Sequence, residues 1–323
     1  MVGQTERPAN SNIMVAAKTF VSGGIAGCCA KTAVAPLDRV KILLQAHNVH
    51  YKHLGVFSTV KHVIHKEGFT GLYKGNGVQM MRIFPYAAIQ FLTYEQLKKF
   101  AKHLPYLSHS PNTSKLICGS LAGLTSVMFT YPLDMIRSRL AFQVKGEVVY
   151  TGIKHTIQSI VLLEGGARGL YQGIVPTVLG MAPYAGLSFC SFEMLKNFAL
   201  EKFPEMLGTH KASCGLVLIL PAKLVCGGLA GAIAQTVSYP LDVVRRRMQL
   251  SGMALKTTEH NIVKHPRGWF QMLVSIYHEN GVTRGLFRGM SVNYIRIMPT
   301  VAISFATYES CKQALGLDTS ADR

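Results

Sequence analysis

The sequence predicts an all-α membrane protein of six spanning helices arranged as three tandem repeats. Three observations lead there. The chain of 323 residues is 49% hydrophobic and only 15% charged, with a mean hydropathy of +0.23, too apolar for an ordinary basic soluble protein. A proline, leucine and aspartate, followed three places after the aspartate by a basic residue, recur as PLDRVK at Pro36, PLDMIR at Pro132 and PLDVVR at Pro240. These copies lie about a hundred residues apart, each near the end of a long apolar stretch, which marks an internal repeat.

The spans come in pairs. Leu116 to Leu133, Gly173 to Phe192 and Leu224 to Leu241 hold no Asp, Glu, Lys or Arg, and each approaches the roughly 20 residues a helix needs to cross a bilayer. Segments of about 16–46, 75–101 and 289–314 are also apolar but carry Lys31, Arg82 and Arg296 partway along. A charge facing lipid is costly, so these three side chains should face a water-filled interior. The first span of each pair carries GxxxG, at Gly23 and Gly27, Gly119 and Gly123, and Gly227 and Gly231, a spacing that lets helices approach closely.

Between the spans of each pair lies a short amphipathic stretch: Val56, Phe57, Val60, Val63 and Ile64; Ile153, Ile157, Ile160 and Val161; Trp269, Phe270, Leu273, Ile276 and Tyr277. Helical spacing puts each set on one face, suiting a helix at the membrane surface. Each stretch runs into a glycine-bounded turn, EGFTGLYKG, EGGARGLYQG and NGVTRGLFRG, ending at Gly75, Gly173 and Gly289. Helix starts of this kind, with free backbone N–H groups and basic neighbours, suit anionic lipid headgroups. The resulting division is a tail over 1–15, repeats over 16–104, 112–203 and 218–315, and a tail over 316–323.

Charge and special residues exclude several classes. The formal net charge of +18 is scattered between apolar segments, without a helix-turn-helix or zinc-finger pattern, so nucleic acid is not an expected partner. Seven cysteines without a CxxC pair build neither a disulfide framework nor a zinc site. His47, His50 and His53, with His62 and His65, lack a fourth strong ligand, and no metal is expected. Gly75-Asn-Gly77 lacks the third glycine of a dinucleotide fingerprint, and no nucleophile elbow marks a hydrolase, so no enzyme chemistry and no cofactor are expected. The first 14 residues carry neither a secretory core nor an arginine-rich amphipathic pattern, so targeting is expected to be internal.

The proline motif, followed each time by a glycine turn that ends in an aromatic residue, a further residue and glycine, resembles the signature of the mitochondrial carrier family over about residues 16–315. The resemblance implies threefold pseudosymmetry, both termini on the cytosolic side of the mitochondrial inner membrane, and alternating access through one central site. It also implies a matrix gate: Asp38, Asp134 and Asp242 paired with Lys41, Arg137 and Arg245, with Gln45 and Gln249 as braces and Ala141 at the third brace position. Pro36, Pro132 and Pro240 would bend the helices inward there. The triplets Tyr94, Glu95, Lys98; Phe192, Glu193, Lys196; and Tyr308, Glu309, Lys312 resemble the family's cytosolic gate, with Tyr94 and Tyr308 as braces.

Arg82, Gly180 and Arg296 each stand twelve residues before the aromatic of their triplet, hence at matching heights. Two arginines would hold anionic groups, and Gly180 with Met181 would leave a flat apolar slot like the family's adenine contact. Lys31 is a third phosphate ligand, and Tyr86 and Tyr184 are candidate cavity walls. RRRMQ at Arg245 departs from the longer methionine run of the ADP/ATP exchangers at Gln249, and no EF-hand precedes the repeats, against the calcium-regulated branch. The stretches KTAVAPLDRVK, QAHNVHYKHLGVF, TYPLDMIRSRLAFQVKGE and GMAPYAG look most like the family's coenzyme A type carriers. That implies coenzyme A, or an adenine nucleotide such as adenosine 3',5'-diphosphate, as a small anionic substrate. The expected partners are this substrate and membrane lipid, cardiolipin in particular, with the monomer as working unit. Other readings are a carrier of another nucleotide or phosphorylated cofactor, a carrier-fold scaffold that no longer transports, and a proton or fatty-acid leak.

Overall fold

The structure, a computed structural model, describes residues 9–46, 51, 54–103, 111–145, 150–204, 208–211, 215–257 and 268–316. Six long helices run as α1 (Ala9–Gln45), α3 (Asn76–Ala101), α4 (Pro111–Phe142), α6 (Ile174–Lys202), α7 (Leu220–Thr257) and α9 (Met290–Ala314). Between the members of each pair lie the short helices α2 (Val56–Glu67), α5 (Ile153–Leu163) and α8 (Trp269–Asn280). Each short helix leads into a tight turn, 3-10 over Phe69–Tyr73 and Gly166–Tyr171 and π over Val282–Leu286. One departure from the all-helical pattern is a small antiparallel hairpin, β1 (Gly208–Lys211) and β2 (Gly215–Leu218), where Gly208 faces Leu218.

Among the described residues, four helices are apolar and long enough to cross a bilayer on composition alone, within Lys18–Gln45, Ser114–Phe142, Gly166–Lys202 and Ala222–Met253. α3 and α9 complete the six with 26 and 25 residues, roughly 39 and 37 Å of helix, and interrupt their apolar character with Arg82 and Arg296. Large side chains such as Phe91, Phe129, Met194 and Met298 are exposed on the outer faces, the surface a lipid-solvated bundle presents.

Helices that follow one another across a repeat boundary pack along most of their length: α3 on α4, α6 on α7, and α9 back on α1. Partners within a repeat touch far less. The first, third and fifth spans, α1, α4 and α7, touch one another little, and the ion pairs that join them lie at the end that bears the prolines. The buried core sits at that end, where Ile42, Ala141, Tyr150, Leu250 and Met253 join three repeats in one cluster.

Glycines clasp the bundle there. Gly75, Gly173 and Gly289 begin α3, α6 and α9 in the left-handed region, at φ of 83°, 86° and 81°. A side chain would also collide with the next repeat: a Cβ on Gly75 would lie 3.0 Å from the Arg137 carbonyl oxygen, and one on Gly173 would lie 3.1 Å from that of Arg245. Gly289 returns to repeat one, 3.7 Å from Gln45 by the same measure. Glycine is needed both for backbone angle and for space.

The surface helices turn a narrow stripe inward. Val63, Ile160 and Ile276 are buried, while Phe57, Ile64, Phe270 and Tyr277 remain exposed. An apolar outer rim at the ends of the spans suits a helix lying against the bilayer surface.

Candidate functional site

Each repeat supplies one aspartate and one base to the closed end. Arg137 donates to Asp38 at 2.7 Å and Arg245 to Asp134 at 2.6 Å, while Lys41 lies 3.9 Å from Asp242. All three pairs cross between odd helices, so six charges on α1, α4 and α7 form one ring. Asp38 and Asp134 are almost completely buried, so removal of any partner would strand a charge.

The corners differ. Asp134 also receives Arg82 at 3.0 Å and Gln249 at 3.0 Å, and Asp38 receives Arg296 at 2.6 Å. Asp242 receives Gln235 at 2.7 Å, while Lys41 donates instead to Asn293 at 3.0 Å. The Asp242 side chain is 35% exposed against 4% for Asp134. The arginines of α3 and α9, for which no acid lies nearby in sequence, are thus paired in space with acids on neighbouring odd helices.

Gln249 is fully buried beneath the Asp134 corner, donating also to the Tyr131 hydroxyl at 3.2 Å and accepting from Ser138 at 2.9 Å and Arg246 at 2.8 Å. Gln45 is buried beside Tyr239. Ala141, at the third brace position, packs under Gly75. Tyr131 and Tyr239, which precede Pro132 and Pro240, lie under basic residues, with Arg245 5.7 Å and Lys41 5.5 Å from the ring centroids. Sequence reasoning missed these tyrosines, Gln235, Ser138, Asn293 and Arg246. Gln235 was reachable, since it stands seven residues before Asp242 and so on the same face of α7.

A further layer, also missed, ties the ring to the glycine turns. Arg39 is wholly buried, donating to Glu67 and to the Gly71, Ala141 and Gln143 carbonyls. Arg139 grips Glu164 with both nitrogens, at 2.6 and 2.5 Å, and donates to the Gln249 carbonyl at 3.1 Å. Burial lifts the Tyr150 phenol above its ordinary value, and the phenol accepts from Arg139 at 2.9 Å. Repeat three carries Asn280 where the others have Glu67 and Glu164; there Arg247 reaches the half-exposed Glu279 at 3.1 Å. The acidic residue before the turn glycine in repeats one and two, Glu67 and Glu164, was the available signal.

Above the ring opens a cavity of about 390 Å³. Lys31, Arg82, Gly180, Met181 and Arg296 all line it, together with the ring residues and Tyr184. Among the described residues, seven basic side chains face three carboxylates on its wall, an excess of four positive charges. Arg82 lies 5.4 Å from the centroid of Tyr86.

The opposite end is not joined. Among the described residues, the single ion pair within the second set of triplets is Glu193 with Lys196 at 3.4 Å, inside one helix and well exposed. Lys312 lies over the ring of its neighbour Tyr308, 5.3 Å away. Glu95, Lys98 and Glu309 reach no partner on another helix among the described ion pairs. The GxxxG glycines, expected at close helix contacts, divide: among the described residues a Cβ on Gly23, Gly119 or Gly227 would meet nothing within 4 Å, whereas one on Gly27 would lie 3.4 Å from Ile83 of α3, one on Gly123 3.7 Å from Met181 and one on Gly231 4.0 Å from Tyr184. The first glycine of each motif faces open space, while in α1 the adjacent Gly24 and Gly27 lie against Phe84 and Ile83 of α3. Of the histidines, His62 and His65 lie on α2, whereas His47, His50 and His53 fall outside the described residues. Among the described residues no cluster could hold a metal ion.

Six spanning helices around a charged cavity, sealed at one end by ion pairs between repeats and open at the other, define a membrane transporter of the solute-carrier class. The chain belongs to the mitochondrial carrier protein family, whose model matches residues 14–104, 108–203 and 218–319. It is therefore a multi-pass transport protein of the mitochondrial inner membrane and not an enzyme. Solute carrier family 25 member 16, the Graves disease carrier, is 54% identical in Homo sapiens and 53% in Mus musculus, each over 93% of this chain and 89% of the relative. Mitochondrial carrier protein CoAc1 of Arabidopsis thaliana is 43% identical over 92% of this chain and 89% of its own length.

Proposed function

We propose that this chain exchanges coenzyme A, or a related adenine nucleotide such as adenosine 3',5'-diphosphate, by alternating access through the central cavity. The observation that carries this reading is the excess of positive charge around one apolar step, with Lys31, Arg82 and Arg296 facing Gly180 and Met181 across the same space. Phosphates engage the three basic groups, and the purine lies on the Gly180–Met181 step. The name CoAc1 carried by the plant relative agrees with such a substrate.

The ring of Asp38, Lys41, Asp134, Arg137, Asp242 and Arg245 serves as matrix gate, braced by Gln45 and Gln249, with Pro36, Pro132 and Pro240 turning the helices toward it. The open end faces the cytosol, where Glu95, Lys98, Glu193, Lys196, Glu309 and Lys312, with Tyr94 and Tyr308, pair once the matrix gate parts. Substrate couples the two through shared arginines. Arg82 and Arg296 are held by Asp134 and Asp38, so a phosphate that binds them competes with the gate carboxylates for the same guanidinium groups. Substrate thereby binds an intermediate better than the closed ring, as population shift requires. A groove between repeats three and one, lined by Gly55, Val56, Arg284, Arg288 and Ser291, suits the two phosphates of cardiolipin, and the monomer is the working unit.

The test is uptake of labelled coenzyme A into liposomes carrying the purified protein and preloaded with coenzyme A, ADP or buffer, alongside Arg82→Ala. The expected result is counterflow that depends on internal nucleotide and falls at least tenfold in the variant. Absence of uptake of any adenine-bearing anion by folded protein would sink the substrate and favour a non-transporting scaffold. Proton flux without nucleotide would instead favour a leak.

A further inference from the structure

Beside the cationic cavity lies a second space, about 520 Å³, that the gate and phosphate contacts leave unused. It is bounded by α3, α4 and α6 and shares Met181 and Tyr184 with the central cavity, so the two adjoin. Its wall is mostly apolar, from Leu116, Gly119, Gly123 and Val178, with the amide of Gln90 and the hydroxyl of Ser120 as polar points. Along α4 it extends from Leu116 to Leu124, eight residues or roughly 12 Å of helix, longer than a purine requires. The GxxxG of repeat two forms one side: a Cβ on Gly119 would meet nothing within 4 Å. In this conformation these glycines make room for something other than a helix.

The central wall fixes what that occupant can be. Its charges would anchor phosphates, and among the described residues no basic side chain lines the alcove except Lys115 at its outer end. An occupant joined to a phosphate group must therefore be uncharged over most of its length, extended, and able to hydrogen-bond at one or two points. We propose that this alcove binds the amide-containing, thiol-tipped arm of coenzyme A, and so makes the carrier select coenzyme A over nucleotides with the same base and phosphates but no arm. The inference rests on the substrate class proposed above and assigns one part of that substrate to named residues. Gln90 and Ser120 pair with the arm's amides, and its aliphatic segments lie against Leu116, Val178 and Met181. Burial of those segments strengthens binding in proportion to apolar area removed from water.

The test is equilibrium binding to the purified full-length protein, with coenzyme A and adenosine 3'-phosphate 5'-diphosphate, which keeps the base and all three phosphates but lacks the arm, as probes, for the wild type and Gly119→Leu. The variant places a side chain in the alcove at a point with no neighbour to displace. The expected result is a wild type that binds coenzyme A at least tenfold more tightly than adenosine 3'-phosphate 5'-diphosphate, and a variant in which that ratio falls to within about threefold. Binding of the shorter nucleotide reports that the variant is folded; if Gly119→Leu binds neither probe, Ser120→Leu repeats the test from the adjacent position. A ratio unchanged in the variants overturns the alcove assignment. Equal wild-type affinities overturn it while leaving the nucleotide reading in place, and failure of the wild type to bind either probe overturns both.

Discussion

The two ends of the bundle carry nearly the same inventory, three acids and three bases distributed one pair per repeat, and use it in opposite ways. At the proline end the charges are buried and cross between helices, at 2.6 and 2.7 Å for the two tighter corners. At the other end the one described pair stays within α6 at 3.4 Å, with both partners more than a third exposed. Sequence pattern alone is therefore silent on which ring is shut. What distinguishes them is burial and geometry: the closed ring stands on a shared core, whereas the open ring stands on helices that have parted. Water screens the open charges and leaves the closed ones dependent on one another.

Breaking the closed end at its most densely paired corner should have the largest effect. Asp134→Asn leaves Arg82 and Arg245 without their carboxylate, and should lower stability by about 3–5 kcal/mol, read by thermal unfolding in detergent. Asp242→Asn, at the more exposed corner, should cost about 1 kcal/mol or less. Equal losses at the two corners would show that the asymmetry has no energetic weight. Gly75→Ala comes next. The residue sits at φ 83° with the Arg137 carbonyl 3.0 Å from its added Cβ, and should lose about 2 kcal/mol from backbone strain alone.

The open end predicts the reverse sign for the same chemical change. Gly119→Ala meets no neighbour and removes a helix-interior glycine, so stability should rise by about 0.5–1 kcal/mol. A fall would mean that the glycine is already packed in solution. Smallest of all, Glu193→Gln removes an exposed pair three residues apart and should change the unfolding free energy by less than about 0.5 kcal/mol. A larger loss would indicate that the second ring spends much of its time closed.

Most of the architecture was legible from the sequence because repetition multiplies weak signals. One PLDRVK is a short motif, but three at similar intervals specify an arrangement. The five cavity residues could be chosen because Arg82, Gly180 and Arg296 share a register along their helices. What the sequence withheld was pairing across repeats. Arg82 has no acid near it along the chain, yet lies 3.0 Å from Asp134 because α3 packs on α4. Arg39 and Arg139 were equally hidden: a buried arginine is recognisable only once the carbonyls it satisfies have been brought to it from another repeat. GxxxG promised contact, and the structure delivers it at Gly27, against Ile83, while Gly23, Gly119 and Gly227 border open space.

The clasp of each glycine turn onto the following repeat has a topological meaning. Repeat one holds repeat two, two holds three, and three holds one, through Gly289 beside Gln45 and through Arg288, which donates to the Tyr51 carbonyl at 3.0 Å. Lys18 in α1 likewise reaches the Leu315 carbonyl after α9, at 3.0 Å. The protein is thus a closed cycle written as a line, and the break in its backbone is incidental to its contacts. A chain begun at repeat two, with repeat three joined through a short linker to repeat one, would retain every clasp described here. No repeat is first, and no corner can be released without its successor.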